Sequence, residues 1–171
     1  MLTAFDPLIH ENCRTLILGS MPGAISLQKQ QYYAHPRNQF WPIMTQLAGR
    51  PDLSDYESRC RLLLDHDIGL WDVLRHCERQ GSLDQAIREP DPHDFLSFFA
   101  RYTKIQAVFY NGAAAESLFR RLILPGLSPS QRNGLILARL PSTSPAHTMS
   151  YEEKLKQWQI VMLPAGRSRD A

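Results

Sequence analysis

Residues 31–41 read Gln-Tyr-Tyr-Ala-His-Pro-Arg-Asn-Gln-Phe-Trp. Four aromatics (Tyr32, Tyr33, Phe40, Trp41) fall within ten residues, interleaved with amides, an imidazole and a guanidinium. Aromatic faces stack on bases, and amides read base edges or hold a water. Phe40 and Trp41 also open an amphipathic helix, so these two are read as core anchors. Tyr33, His35 and Asn38 fit a core role less well and stand as candidates for chemistry.

Three other segments could meet a ligand. Gly19-Ser20-Met21-Pro22-Gly23 places two glycines and a proline in a tight turn, where backbone N–H groups approach a ligand closely. Such a turn can cradle a phosphate or a sugar, or it can be an ordinary exit from a strand. No Gly-Lys-Ser/Thr comes after it, so it is not a nucleotide P-loop, and it is not G-x-G-x-x-G. Asn111-Gly112 is a turn former or a strand-end amide aimed at a ligand. Leu140–His147 (LPSTSPAH) sets Ser142, Thr143 and Ser144 between two prolines. It offers donors to phosphate oxygens on a stiffened loop, or it is a proline-rich turn.

Other chemistries find no support. His66 and His76 lack the spacing of a zinc site, and no G-x-S-x-G elbow or Ser–His–Asp order is present. The three cysteines, Cys13, Cys60 and Cys77, are read as structural. They make neither a disulfide framework nor a four-thiolate cluster.

The candidates must be held by strands. Thr15–Ser20, Ile68–Leu74, Ile105–Tyr110 and Leu135–Leu140 are short apolar runs that read as buried strands. Helices are expected over Phe40–Leu47, from a Ser54/Glu57 capping box to about Leu64, over Asp94–Tyr102, and from Asn111-Gly112 through Leu122. Ser82–Ile87 reads as a helical turn, and Glu89–Pro92 and Leu124–Asn133 as loops. Ser150 should cap a last helix, with Glu153 at its third position and Tyr151, Leu155, Trp158 and Met162 on one apolar face. Alternation of strands and helices implies a three-layer α/β/α sandwich around a mainly parallel four-stranded sheet. In such sheets the ligand crevice lies beyond the carboxyl ends of the strands, where all four candidate segments fall.

Length and composition set the frame. The chain has 171 residues, 43% hydrophobic, with a formal charge of +2. One domain over 1–171 is expected, with about two-thirds of the unfolded chain's surface buried. The balance excludes a disordered tail, a collagen-like repeat and a histone-like polycation. No apolar run approaches about 18 residues, and the N-terminus lacks a signal-peptide pattern. A monomer in a reducing cytoplasm, away from membranes, is the expected setting. The charge is unevenly spread. Residues 12–51 hold four bases and no acid, and residues 95–151 hold six bases and one acid. Residues 50–100 hold eleven acids and six bases. If the two acid-poor stretches meet, they make a small basic crevice for a polyanion while the acidic middle faces away.

Taken together, LILGSMPGAISLQKQQYYAHPRNQFW, AVFYNG and LPSTSPAHTMSYEEKLKQW, with weaker support from GSLDQAI, form an ordered pattern from about residue 14 to about 160. It resembles the uracil-DNA glycosylase superfamily and, within it, the hypoxanthine-DNA (deoxyinosine) glycosylase family. The resemblance implies an α/β/α sandwich without metal or cofactor. It implies hydrolysis of the N-glycosidic bond of a deaminated base, chiefly hypoxanthine, in base excision repair of DNA, after the nucleotide is flipped out of the duplex. Met21 stands where many branches carry a water-positioning Asp or Asn. In the deoxyinosine branch that role matches Asn38, which is no strong base. Tyr33 matches the aromatic that stacks on the base, and Asn111 the amide that hydrogen-bonds it. Gly19, Ser20 and Gly23 match the turn that approaches DNA. Ser142, Thr143, Ser144 and His147 match the loop that grips it, with departing-base stabilisation an alternative for His147. The same pattern also resembles a uracil or G-mismatch uracil/thymine glycosylase, which Met21 disfavours. A non-catalytic nucleic-acid-binding module is the third reading, motivated by the missing carboxylate.

Overall fold

The computed structural model describes residues 1–163. In chain order its strands are β1 (Leu2–Thr3), β2 (Thr15–Gly19), β3 (Ile68–Asp72), β4 (Leu74–Glu78), β5 (Arg88–Pro92), β6 (Ala107–Asn111) and β7 (Ile136–Leu140). The helices are α1 (Ala24–Lys29), α2 (Phe40–Leu47), α3 (Tyr56–Asp65), α4 (Phe95–Arg101), α5 (Ala113–Leu122), α6 (Pro129–Asn133) and α7 (Tyr151–Trp158). No helix among the described residues is long and apolar enough to cross a membrane.

The apolar runs form one parallel sheet in the order β3-β2-β6-β7. Every residue of β2 and β3 is buried, as strands covered on both faces must be. Alternate residues feed two cores. Leu16, Leu18, Val108 and Tyr110 pack with Phe95, Phe98, Leu118 and Phe119 of α4 and α5. Ile17, Leu70 and Phe109 pack with Phe40, Ile43 and Met44 of α2, Leu63 of α3 and Trp158 of α7. This is the expected α/β/α sandwich. The chain runs from β2 outward to β3 and then crosses back to β6 on the other side of β2. The topological switch point, and with it the crevice, therefore lies at the carboxyl end of β2.

Several local expectations change. The run Ile68–Leu74 is not one strand. β3 ends at Asp72, and the N–H groups of Val73 and Leu74 donate to the carbonyls of Gly19 and Ser20 as the chain bends into β4. Glu89–Pro92, expected as a loop, belongs to β5 in a second, antiparallel sheet of order β1-β4-β5. β5 is an edge strand with irregular register, so Pro90 and Pro92 withhold no ladder donor that an inner strand would need. The 124–133 stretch holds a 3-10 turn, Leu124–Gly126, and the short α6, closed by a Ser128/Gln131 capping box. Helix α3 is capped by Asp55 rather than Ser54, its carboxylate accepting the Ser58 N–H at 3.0 Å. Ser150 caps α7 as expected, accepting the Glu153 N–H.

Candidate active site

The four parallel strands end together, and their carboxyl-terminal ends and exit loops line one cavity of about 460 Å³. Gly19 to Ser26 lead out of β2, Asp72 ends β3, Asn111 ends β6, and Ser142 to Ala146 lead out of β7. Tyr33, His35 and Asn38 close one side, and Ser82, Leu83 and Asp84 close another. The volume suits a small-molecule site or a single base.

Asn38 is fixed by the helix it precedes. Its Oδ1 accepts the Phe40 N–H at 2.9 Å, satisfying a donor that the first turn of α2 leaves open. That contact identifies the oxygen end of the amide and leaves Oδ1 a second lone pair for a water. Beside it, His35 Nδ1 accepts the Arg37 N–H at 3.0 Å, so the neutral ring carries its proton on Nε2 as a donor.

Tyr33 sits at φ 54°, a left-handed conformation that an aromatic residue seldom adopts. Such a residue costs roughly 1–3 kcal/mol and persists where its surroundings over-determine it. The determinants are close by. Its ring packs 4.2 Å from that of Phe40, whose side chain is fully buried with those of Trp41, Ile43 and Met44. Burial of each such side chain contributes about 1.5–3 kcal/mol, so α2 offsets the strain several times over. The Tyr33 hydroxyl is buried without a partner, and burial pushes its pKa well above the ordinary phenol value.

The floor of the cavity holds a carboxyl that the charge pattern placed elsewhere. Asp72 is 3% exposed, and its Oδ2 has no hydrogen-bond partner. It lies in register with Gly19 on β2. A Cβ at residue 19 would run into Asp72 Oδ1 and would come within 3.1 Å of the Tyr33 hydroxyl. Gly19 is therefore glycine because this floor occupies the space a side chain would need. Burial, reinforced by the negative charge of Asp84 and opposed by the guanidinium of Arg79, pushes the Asp72 carboxyl up to about 7.

Asp84 itself accepts a hydrogen bond from the Ser20 hydroxyl. The expectation that the acidic 50–100 region faces away is corrected by these two side chains. So is the expected basic crevice: the lining carries Asp72 and Asp84 and no lysine or arginine. The reason lies in the topology, because β3 runs parallel to β2 and must end at the same edge.

The remaining sequence candidates divide by what their polar groups already do. Asn111 Oδ1 accepts the Thr143 N–H at 3.0 Å, and its Nδ2 donates to the Thr143 hydroxyl at 3.0 Å. Thr143, read from sequence as a DNA contact, is fully buried, and its carbonyl also accepts the Gln39 N–H at 3.0 Å. It works as a strut between β6, the loop after β7 and the start of α2. The Ser142 hydroxyl accepts the Ser144 N–H, and the Ser144 hydroxyl accepts the Ala146 N–H, so both serines shape the loop. Gly112 must be glycine there, with φ 94° and the Ser142 Cβ only 3.0 Å from where its own Cβ would stand. Ser20 is buried on Asp84, and Gly23 precedes α1 with room for a side chain. His147 is exposed and lies outside the cavity lining. Its carbonyl accepts a 3.0 Å bond from Lys154, a buried ammonium that also points at the Ser144 carbonyl.

Asp72, Asp84 and Lys154 are absent from the sequence candidates. Asp72 carried one signal: an ionisable residue inside an otherwise apolar, buried strand run. Among the described residues, no group of three His, Cys, Asp or Glu side chains could hold a metal ion.

Comparison with known proteins agrees with this arrangement. The family model of the Uracil DNA glycosylase superfamily matches residues 7–163. A hypoxanthine DNA glycosylase of Methanosarcina acetivorans is 33% identical over 162 residues, 92% of this chain and 95% of that protein. Another, of Methanosarcina barkeri, is 38% identical over 109 residues, 63% of this chain and 69% of that protein. A solution NMR structure from Methanosarcina acetivorans, provisionally assigned as a uracil DNA glycosylase, superposes with a TM-score of 0.77 at 31% identity. That superposition covers 94% of this chain and 95% of the other. With a cavity at the switch point of a four-stranded parallel sheet, and with these relatives along nearly its whole length, the chain belongs to the uracil DNA glycosylase superfamily, in its hypoxanthine DNA glycosylase family.

Proposed function

We propose that the protein is a monofunctional DNA glycosylase that hydrolyses the N-glycosidic bond of deoxyinosine and releases hypoxanthine, opening base excision repair. The observation that carries this reading is one cavity with a fixed neutral amide, Asn38, at its wall and two unpartnered polar atoms, Asp72 Oδ2 and the Tyr33 hydroxyl, at its floor.

The floor supplies an acceptor and a donor around one glycine. Deamination converts the amino-imine edge of adenine or cytosine into a lactam edge, which presents N–H beside C=O. Ionised Asp72 accepts from the N1–H of hypoxanthine, and the Tyr33 hydroxyl donates to O6. Adenine offers the reverse pattern and would leave two buried groups unpaired, at a cost of about 1–3 kcal/mol each. Extruding the nucleotide costs a few kcal/mol in a paired duplex and less at a mispair.

Breaking the bond sends its electron pair to the base and leaves positive charge on the sugar. Asn38 Oδ1 orients a water whose oxygen bonds C1′. One water proton passes to solvent, and the departing base takes up a proton. A dissociative step of this kind asks little of a base, which suits a neutral amide. The carboxylates of Asp72 and Asp84 lie on the same cavity and favour the cationic sugar electrostatically.

A uracil or G-mismatch uracil/thymine glycosylase is the second reading, because the N3–H and O4 of uracil form the same lactam edge. Duplexes carrying inosine, uracil or thymine opposite each normal base, incubated with the protein and then with alkali, separate the two. Fastest nicking at inosine supports the first reading. Nicking at uracil that far outpaces inosine replaces it with the second.

A further inference from the structure

An ionised carboxyl only accepts hydrogen bonds, whereas a protonated one also donates. Asp72 is placed so that either form meets a ligand. It lines the cavity, its Oδ2 has no partner, and among the described residues it forms no ion pair. The titratable groups around it come from two elements. The 79–87 connection between β4 and β5 brings Asp84, a second carboxyl on the same cavity. It also brings Arg79, whose guanidinium is engaged by carbonyls: Nε donates to Gly81 at 2.8 Å and Nη2 to Pro22 at 2.6 Å. The loop before α2 brings Tyr32, Tyr33 and His35. The Tyr32 hydroxyl is turned away to the Asp6 carbonyl at 2.7 Å, and the Tyr33 hydroxyl is buried without a partner. Burial, a neighbouring carboxyl and the lack of a paired cation all favour the neutral acid. With its carboxyl pushed up to about 7, Asp72 populates both forms near neutral pH. One proton then inverts what the floor can read. Ionised Asp72 with a donating Tyr33 hydroxyl matches N–H beside C=O. Protonated Asp72 with the same hydroxyl accepting matches the reverse, a bare ring nitrogen beside an amino group, which is the N1 and N6 edge of adenine.

We propose that the protein has a second activity on the acid side of neutrality, release of adenine from unpaired or mispaired deoxyadenosine, with protonated Asp72 as hydrogen-bond donor and general acid. This activity rests on the reading of the cavity as a hydrolytic base pocket. The C1′–N9 bond breaks and its electron pair goes to the base, while Asp72 passes its proton to N1. The oxygen of the water at Asn38 bonds C1′, and one water proton passes to solvent. Adenine leaves as a neutral tautomer, and the carboxylate takes a proton back from solvent. Adenine paired with thymine is spared, because extrusion costs most from a matched pair.

The test measures free base by chromatography, corrected for the protein-free rate. Duplexes carry inosine or deoxyadenosine opposite a tetrahydrofuran abasic analogue, so that neither base has a partner to leave. From about pH 8 to about pH 5.5, wild type should lose about tenfold in kcat/KM on inosine and gain about tenfold on deoxyadenosine. At about pH 5.5, Asp72→Ala should release adenine at least about tenfold more slowly than wild type. Asp72→Asn, whose amide presents N–H at every pH, should release adenine at a rate that does not change with pH. Release of hypoxanthine but no adenine by wild type overturns the second activity and leaves the deoxyinosine reading. So does adenine release that follows the inosine pH profile, or that Asp72→Ala retains in full. Adenine release that grows toward acid, without any release of hypoxanthine, overturns the deoxyinosine reading and leaves the second activity. Release of neither base overturns both.

Discussion

The Asp72 carboxyl occupies the space that a side chain at Gly19 would fill, with the two residues in register on adjacent strands. The contact ties a backbone requirement on β2 to the buried carboxyl at the end of β3. Gly19→Ala should push Asp72 and the Tyr33 hydroxyl apart. Overpacking of this kind costs about 1–3 kcal/mol. We expect a matching loss of stability in urea unfolding, with a fall in kcat/KM on inosine DNA of at least about tenfold, since misplacing bound groups is costly to rate.

The raised carboxyl of Asp72 predicts two pH effects of opposite sense. Its folded value of about 7 lies above the ordinary 3.8, so the native state binds the proton more tightly than the unfolded chain. Stability from this group is therefore fully present below about pH 4 and is lost as pH rises toward about 7, by at most about 4 kcal/mol. Asp72→Asn should melt above wild type at pH 8 and close to it at pH 4. Activity runs the other way. Acceptance of a lactam N–H needs the ionised carboxylate, so kcat/KM on inosine should rise with pH through about 7. Asp72→Asn keeps an acceptor oxygen and should retain partial activity without that rise, and Asp72→Ala should lose most of it.

Thr143 has its N–H and hydroxyl both engaged by Asn111. Thr143→Val keeps the shape and removes the hydroxyl, leaving one Asn111 donor unpaired, at about 1–3 kcal/mol. Faster amide exchange across residues 141–147 and a higher KM for DNA should result, with the preference among bases unchanged. A changed base preference would show instead that Thr143 touches the base.

The parallel sheet and the four segments beyond it were legible because buried strands leave unbroken apolar runs, and because ligand segments come after them in fixed order. Asn38, Tyr33 and Asn111 were legible on the same ground as residues that line the cavity. Asp72 was hidden inside IGLWDVL, which reads as one strand until β3 and β4 separate at Val73. β5 was hidden by its prolines, which only an edge position permits. Charge counts misled about the crevice, because linear sequence cannot show that a carboxylate from an acidic stretch ends beside an acid-poor turn. Lys154 gave no signal at all: its burial depends on two carbonyls of a loop that precedes it.

The proposed release of hypoxanthine from this cavity, through a water oriented by Asn38, can be followed as product. Chromatography identifies the free base released from inosine-containing duplex by wild type and by Asn38→Ala. Wild type should yield free hypoxanthine in step with abasic sites, and Asn38→Ala should slow that release by about a hundredfold or more. Wild-type release of no hypoxanthine, or full release by Asn38→Ala, would contradict the proposed role of the cavity and its amide.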